Sequence, residues 1–197
     1  MASSFEIKST RPSVGETIVT IVRDHIDYRK QIFKLAGSDL RRTYRASALG
    51  WSWAIIKPLV TIFVYWFAFA IGLRRGGDIE GYPFVLWLIS GIVPWFYMSE
   101  MLTLGTECIL RNRYLVTKMK YPVSTIPTFT SISKFSVHLI LMMITILIFV
   151  ITGNELTIYL VQLPFYMLCN FLFFTGWAMF AAPIAAISTD FSNLVKS

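Results

Sequence analysis

Polar positions along this chain gather between four long apolar stretches. These run from about Trp51 to Leu73, Phe84 to Leu104, Thr128 to Ile151 and Ile158 to Ile187. A helix needs about 20 predominantly apolar residues to cross a bilayer, where only a helix or a closed barrel satisfies its own backbone hydrogen bonds. Leu139 to Ile151 is interrupted only by Thr145, whereas barrel strands alternate apolar with polar residues. The pattern therefore predicts an all-α membrane protein, a helical bundle with four transmembrane helices. The fourth stretch has length to spare for tilt or for kinks at Pro164 and Pro183.

The first 50 residues follow a different rule. Ile18 to Val22 is short and contains Thr20, so no cleaved signal peptide is expected. Between residues 16 and 45, Tyr28, Ile32, Leu35, Ala36, Leu40 and Tyr44 recur at three- and four-residue steps. Arg29, Lys30, Lys34, Arg41, Arg42 and Arg45 supply the polar surface. This is the signature of one amphipathic helix or a pair. Two placements stay open: in the membrane interface, or packed on the protein's own surface. The resulting division is 1–50 as a cytoplasmic N-terminal segment, 51–187 as the transmembrane domain and 188–197 as a final cytoplasmic segment. No internal repeat or low-complexity linker divides the chain further.

Composition reinforces the pattern. Of 197 residues, 55% are hydrophobic and 15% charged, against about 45–50% and about 25% in soluble domains, which excludes an ordinary water-soluble fold. Eighteen Lys and Arg against eleven Asp and Glu leave +7, and the placement of that excess is informative. Arg41, Arg42 and Arg45 precede the first span; Arg111, Arg113, Lys118 and Lys120 lie between the second and third; Lys196 follows the fourth. On the other side Arg74 and Arg75 are offset by Asp78 and Glu80, and the turn from Gly153 to Thr157 carries Glu155 with no basic residue. The positive-inside rule puts both termini in the cytoplasm. Topology accounts for most of the charge, and nucleic acid is not an expected partner.

Reactive chemistry is sparse. Cys108 and Cys169 are too few for a disulfide framework or a four-ligand metal site. No glycine-rich stretch ends in Gly-Lys-Ser or Gly-Lys-Thr, so the chain has no P-loop. His25 and His138 fall on different sides of a membrane boundary, and no acidic pair sits at metal-ligand spacing within the spans. No catalytic residue, metal or cofactor is expected in this chain.

Four ionisable residues lie within or at the edges of the spans: Lys57, Glu100, Lys134 and His138. Exposure to lipid is costly, so each should face protein, water or headgroups. Lys57 and Glu100 fall near the cytoplasmic ends of their helices, where an anchoring role outweighs a transport role. Lys134 and His138 are one turn apart and share a face, suited to pairing with Glu100 or, less simply, to a substrate phosphate.

Aromatic residues make up 16% of the chain. Trp51, Trp53 and Tyr82 read as headgroup-level anchors. Tyr65, Trp66, Phe69, Trp87, Trp95 and Phe96 are candidates for an aromatic passage, since a sugar ring stacks its C–H face on aromatics without a fixed hydrogen-bond geometry. Ordinary helix packing is the competing explanation for each. In Thr106 to Tyr121, Leu110 with Tyr114 and Leu115 with Met119 form apolar pairs among Arg111, Arg113, Lys118 and Lys120. Such a helix suits docking into a partner's groove; a solvated positive loop is the alternative.

Three blocks of sequence, in order, resemble a known family. The first is Asp39-Leu40, Tyr44, Ser47, Leu49-Gly50, Trp53, Pro58, Val64-Tyr65-Trp66 and Gly72-Leu73-Arg74. The second is Gly81-Tyr82-Pro83-Phe84-Val85, Trp87-Leu88, Gly91 and Trp95-Phe96. The third is Lys118-Met119-Lys120-Tyr121-Pro122, Ser124, Ile126-Pro127, Lys134-Phe135 and His138-Leu139. Together they resemble the ABC-2-type membrane subunits of polysaccharide exporters, most closely the teichoic acid export permeases, with O-antigen exporter permeases also similar.

The resemblance implies a homodimer in the bacterial cytoplasmic membrane, served by two separate cytoplasmic ABC ATPase subunits that bind ATP and Mg. The implied cargo is an undecaprenyl-diphosphate-linked glycan such as teichoic acid. Thr106 to Tyr121 would hold the coupling helix, with Arg111, Arg113, Tyr114, Leu115, Lys118 and Met119 as its contacts. The N-terminal amphipathic helix would lie along the cytoplasmic face of the membrane. Members commonly carry Arg-Asp after the fourth span where this chain reads Thr189-Asp190, so no role for that arginine carries over. The family also has six spans, with re-entrant helices between the last two, so this chain reads as a truncated or incompletely represented permease. A drug or lipid exporter of the same architecture and a non-transporting membrane scaffold are the alternatives.

Overall fold

The computed structural model describes residues 13–44, 49–72, 77–79, 81–119, 121–154 and 157–197. Arg45, Ser47, Leu73, Arg74, Arg75, Glu80, Lys120 and Glu155, all named above, lie outside the described residues. So do the side chains of Tyr44 and Trp51.

Helix α1, Val14–Asp27, opens on a reciprocal cap in which Glu16 N donates to Ser13 Oγ at 3.2 Å and Ser13 N donates to Glu16 Oε2 at 2.8 Å. Two otherwise orphaned amides are satisfied together. The helix ends at Tyr28, where φ −98° and ψ 11° break the regular path before α2, Arg29–Tyr44, begins. The amphipathic segment is therefore two helices with different fates. In α2, Ile32 and Ala36 are buried against Cys108, Leu115, Ile126, Phe129 and Ala182, with Leu35 alongside. The stripe read from Tyr28 to Leu40 thus covers the protein's own helices. Helix α1 buries nothing, and Val14, Ile18, Val19, Val22 and Ile26 form a second apolar stripe that stays exposed.

Four helical segments are long and apolar enough to cross a membrane: Trp53–Gly72, Phe84–Gly105, Val123–Ile151 and Ile158–Ile187. The first comprises α3, Trp53–Trp66, and a π-helical end, Phe67–Gly72; the second comprises α4, Phe84–Glu100, and a π-helical end, Met101–Gly105. Two short helices follow, α5, Cys108–Arg111, and α6, Arg113–Met119. Then come α7, Ile126–Ile151, α8, Leu163–Ile187, and α9, Thr189–Lys196. The third span begins earlier than the expected Thr128 because Pro127 occupies the first turn, where its missing N–H costs nothing. Between α3 and α4, Ile79 and Tyr82 exchange backbone hydrogen bonds of 2.9 Å, and Gly81 takes the φ of +85° that this tight turn requires.

Helix α7 is central, touching α2, α4 and α8. It also buries Thr130, Ser131, Ser133, Lys134, His138 and Thr145. Helix α8 presents Ala178, Ala181, Ala182 and Ala185, all essentially without exposure. These small side chains let the end of α4 come close, as small residues do in membrane bundles. Helix α3 is peripheral, burying Ala54 and Ile62. Helices α2, α5 and α6 share one core with the start of α7 and the end of α8, so they gather at one end of the bundle, called the basic end below.

Candidate functional site

Between α3, α4 and α7 lies a cleft of about 210 Å³, lined among others by Trp53, Lys57, Pro58, Phe96, Glu100, Lys134 and His138. The four ionisable residues picked out from the spans thus meet at one place. Lys134 Nζ donates to Glu100 Oε1 at 3.0 Å, with Lys134 buried and Glu100 partly exposed. Lys134 lies eight residues into α7, roughly 12 Å along its axis at about 1.5 Å per residue, so its charge must be met inside the bundle. Lys57 is exposed, and among the described residues the ion pairs are Arg23–Asp27, Lys134–Glu100 and Lys196–Glu107, none involving Lys57. His138 is buried with its ring against Tyr97, centroids 5.3 Å apart and planes 27° apart, and its Nδ1 has no hydrogen-bond partner.

Behind the cleft a chain of hydroxyls crosses three helices. Tyr97 Oη and Ser131 Oγ are 3.0 Å apart, Ser131 Oγ and Thr175 Oγ1 are 2.6 Å apart, and Thr175 Oγ1 donates to the Phe171 carbonyl at 2.7 Å. Each of these three hydroxyls has a partner, which ties α4, α7 and α8 in one register, whereas the buried Thr130 and Ser133 hydroxyls of α7 have none.

The basic segment is bent at Asn112, between α5 and α6. Asn112 is buried; its Nδ2 donates to the Cys108 carbonyl at 2.9 Å, and its Oδ1 accepts from Arg42 Nη2 at 3.3 Å. The Arg42 guanidinium also stands 6.0 Å over the Tyr114 ring. Arg111, Arg113, Tyr114, Lys118 and Met119 are exposed, whereas Leu115 is buried in the core of the basic end. Leu115 and Met119 therefore do not form one outward apolar pair: the first holds the segment down and the second faces away. Cys108 is buried too, and burial pushes its thiol pKa up to about 12, leaving it an inert apolar side chain.

Sequence reasoning passed over the residues that fasten this segment. Glu107 accepts from Ser192 Oγ at 3.0 Å and pairs with Lys196, tying α9 to the start of α5. Lys196, opposed by burial and helped by Ser192, holds the Glu107 carboxyl below its usual pKa. Trp177 Nε1 donates to Thr106 Oγ1 at 3.2 Å one residue earlier. The available signal was that Glu107 is the one acidic residue from Thr106 to Tyr121.

Of the six passage aromatics, Phe96 lines the cleft. Tyr65, Phe69, Trp87 and Trp95 face outward, and three of them join a ladder through Phe84, with Tyr65–Phe69, Phe69–Phe84 and Phe84–Trp87 centroids 6.4, 6.2 and 6.0 Å apart. Trp66 is half-buried beside Phe63. Among the described residues, no cluster of three His, Cys, Asp or Glu side chains is arranged to hold a metal ion.

Comparison with known proteins places this architecture. The chain is 26% identical over 183 residues to the O-antigen export system permease protein RfbA of Myxococcus xanthus, covering 91% of this chain and 68% of that protein. Two RfbA permease proteins of Klebsiella pneumoniae are 28% and 27% identical over 93 residues, 47% of this chain and 34% of theirs. Residues 30–196, from the second residue of α2 to the last of α9 and through all four spans, match the ABC-2 type transporter family, and the chain belongs to that family.

Proposed function

We propose that this chain is the membrane permease of an ATP-driven exporter of lipid-linked polysaccharide, with its basic end in the cytoplasm. The observation that carries the reading is the similarity across 91% of the chain to an O-antigen export permease. The charge distribution and the outward basic surface of α5 and α6 support it. A cytoplasmic ATPase pair, binding ATP and Mg, docks on Arg111, Arg113, Tyr114, Lys118 and Met119.

The fastenings explain how a push there travels. Glu107 and Thr106 connect the segment to α9 and α8, Asn112 connects it to α2, and Leu115 connects it to α7. Movement of α5 and α6 on ATP binding therefore shifts packed helices together, in the way a bistable interface amplifies a small displacement. Two copies facing each other through α3 and α4 enclose the outward ladder of Tyr65, Phe69 and Trp87, with Trp66 and Trp95 nearby, as an aromatic wall for the glycan. Teichoic acid is the narrower cargo proposed, and α1 lies on the membrane surface through its exposed apolar stripe.

The test is reconstitution of the chain, in its native reading frame, with a cytoplasmic ABC ATPase that co-purifies with it. Lipid-diphosphate-linked polysaccharide should stimulate ATP hydrolysis above the level with the lipid carrier alone. A cysteine placed at Arg113 should resist an impermeant label added outside intact cells. Labelling from outside, or hydrolysis indifferent to glycan, overturns the reading.

A further inference from the structure

We infer that the cleft between α3, α4 and α7 receives a phosphate group, held between the Lys57 ammonium and the His138 ring. The inference deepens the permease reading and rests on it for placing the cleft in the bilayer.

Charge accounting is the first step. The cleft contains two lysines and one carboxylate, and Glu100 is already engaged by Lys134 at 3.0 Å. Lys57 is left with its charge unmatched among the described residues. A lysine four residues into a span can reach headgroups along its flexible stem, and anchoring alone would explain that. It would not explain the rest of the site. A roomy cleft lies beside Lys57, and its wall holds His138, 3% exposed, with Nδ1 meeting no partner. A buried polar atom left unsatisfied costs roughly 1–3 kcal/mol; Tyr121 Oη, Thr130 Oγ1 and Ser133 Oγ are unsatisfied too, but of the four residues only His138 lines this cleft, where an entering group could meet its ring.

The chemistry selects the entrant. It must be anionic to answer Lys57 and must engage a ring nitrogen contributed by another helix. An imidazole nitrogen accepts a proton-bearing oxygen when neutral and donates when protonated. A phosphate monoester offers both, through P–O–H and P–O⁻ at tetrahedral angles; an ionised carboxylate offers acceptors only. Trp53, Pro58 and Phe96 give the cleft an apolar margin, suited to the chain of a lipid but open also to free phosphate.

The test uses the full chain in detergent and native mass spectrometry, with dioleoyl phosphatidic acid, dioleoyl phosphatidylcholine and inorganic phosphate as probes. Phosphatidic acid should be retained over phosphatidylcholine by about tenfold, the scale of a charge-assisted contact. Lys57→Gln should bring that ratio close to one, and His138→Phe should lower it severalfold. His138→Asn, which restores a polar atom on a short side chain, should keep most of it. Inorganic phosphate that displaces phosphatidic acid through Lys57 would identify the phosphate alone as sufficient; retention of the lipid in excess phosphate would identify the lipid-borne group. Equal ratios in the wild type and in a Lys57→Gln variant of unchanged melting temperature would overturn the site. Co-purification of the ATPase is scored in the same preparations, so loss of the exporter reading and loss of this site are separate results.

Discussion

Lys134 Nζ meets Glu100 Oε1 at 3.0 Å across the α4–α7 contact, the lysine side chain 4% exposed and the glutamate side chain 40%. The two partners are therefore not equivalent. Glu100→Gln strands a buried ammonium, and the expected loss is near the low end of the ~3–5 kcal/mol typical of a broken buried pair, because Glu100 itself is partly solvated. Lys134→Met removes the buried charge, leaves Glu100 facing the cleft, and should cost less. Thermal unfolding in detergent gives the ranking. The double variant should match Lys134→Met alone, and a Glu100→Gln protein as stable as Lys134→Met would mean that the ammonium finds another acceptor.

Gly105, the last residue of the π-helical end of the second span, and Ala178 set how closely that span and α8 approach. A Cβ at Gly105 would stand 3.2 Å from Ala178 Cβ and 3.1 Å from Met101 Cε. The methionine tip can swing aside, but Ala178 is fully buried, so the helices must part. Gly105→Ala should destabilise by about 1–3 kcal/mol, the usual cost of overpacking. Adding Ala178→Gly should recover more than half of it. At Gly91, within α4 of the same span, a Cβ meets nothing within 4 Å. Gly91→Ala should therefore stabilise, by up to ~1 kcal/mol from helix propensity. Equal effects at both glycines would contradict the close crossing.

These contacts mark where sequence reading stops. The four spans were legible because an apolar run is a local property and the bilayer demands its length. Lys57, Glu100, Lys134 and His138 were visible for the same reason, as costly interruptions of such runs. Their meeting in one cleft was not, since it depends on α3 and α4 crossing α7. The direction of Tyr65, Phe69, Trp87 and Trp95 was equally hidden, because a lipid-facing helix surface is as apolar as a core-facing one. Outside the spans, periodicity found the α2 stripe and left one helix or a pair open without marking the α1 stripe, and it could not tell buried Leu115 from exposed Met119. The bond between Ser192 and Glu107 joins residues 85 apart, beyond any local pattern.

That bond makes α9 responsive to acid. Lys196, and after it Ser192, lower the Glu107 pKa below its usual 4.5 against the opposing effect of burial. A carboxyl whose folded pKa is depressed stabilises fully above its unfolded value, and loses that contribution as pH falls through the folded value. The attachment of α9 should therefore be constant from neutral pH down to about 4.5 and weaken below it. Hydrogen exchange of the α9 amides should rise in acid while the α7 amides stay protected. Lys196→Met should raise α9 exchange at neutral pH and flatten its pH dependence; an unchanged acid response in that variant would remove Lys196 as the cause.

Leu115 and Met119 separate folding from docking. Leu115 is 2% exposed in the core shared by α2, α5, α6, α7 and α8, and Met119, four residues on, is 66% exposed at the end of α6. An aspartate at 115 would place an unpaired charge in that core, and loss of folded protein is expected, since burying an isolated carboxylate exceeds the ~1–3 kcal/mol of an ordinary core lesion. An aspartate at 119 enters solvent, where substitutions usually change stability by no more than about 0.5 kcal/mol. It also places a negative charge among Arg113, Lys118 and the other outward basic residues. The melting temperature of Met119→Asp should match the wild type while recovery of the ATPase on affinity-purified permease falls severalfold. Met119→Leu, which keeps an apolar side chain of similar volume, should restore that recovery. Undiminished ATPase recovery with Met119→Asp would move the docking surface off α6, whatever becomes of Leu115→Asp.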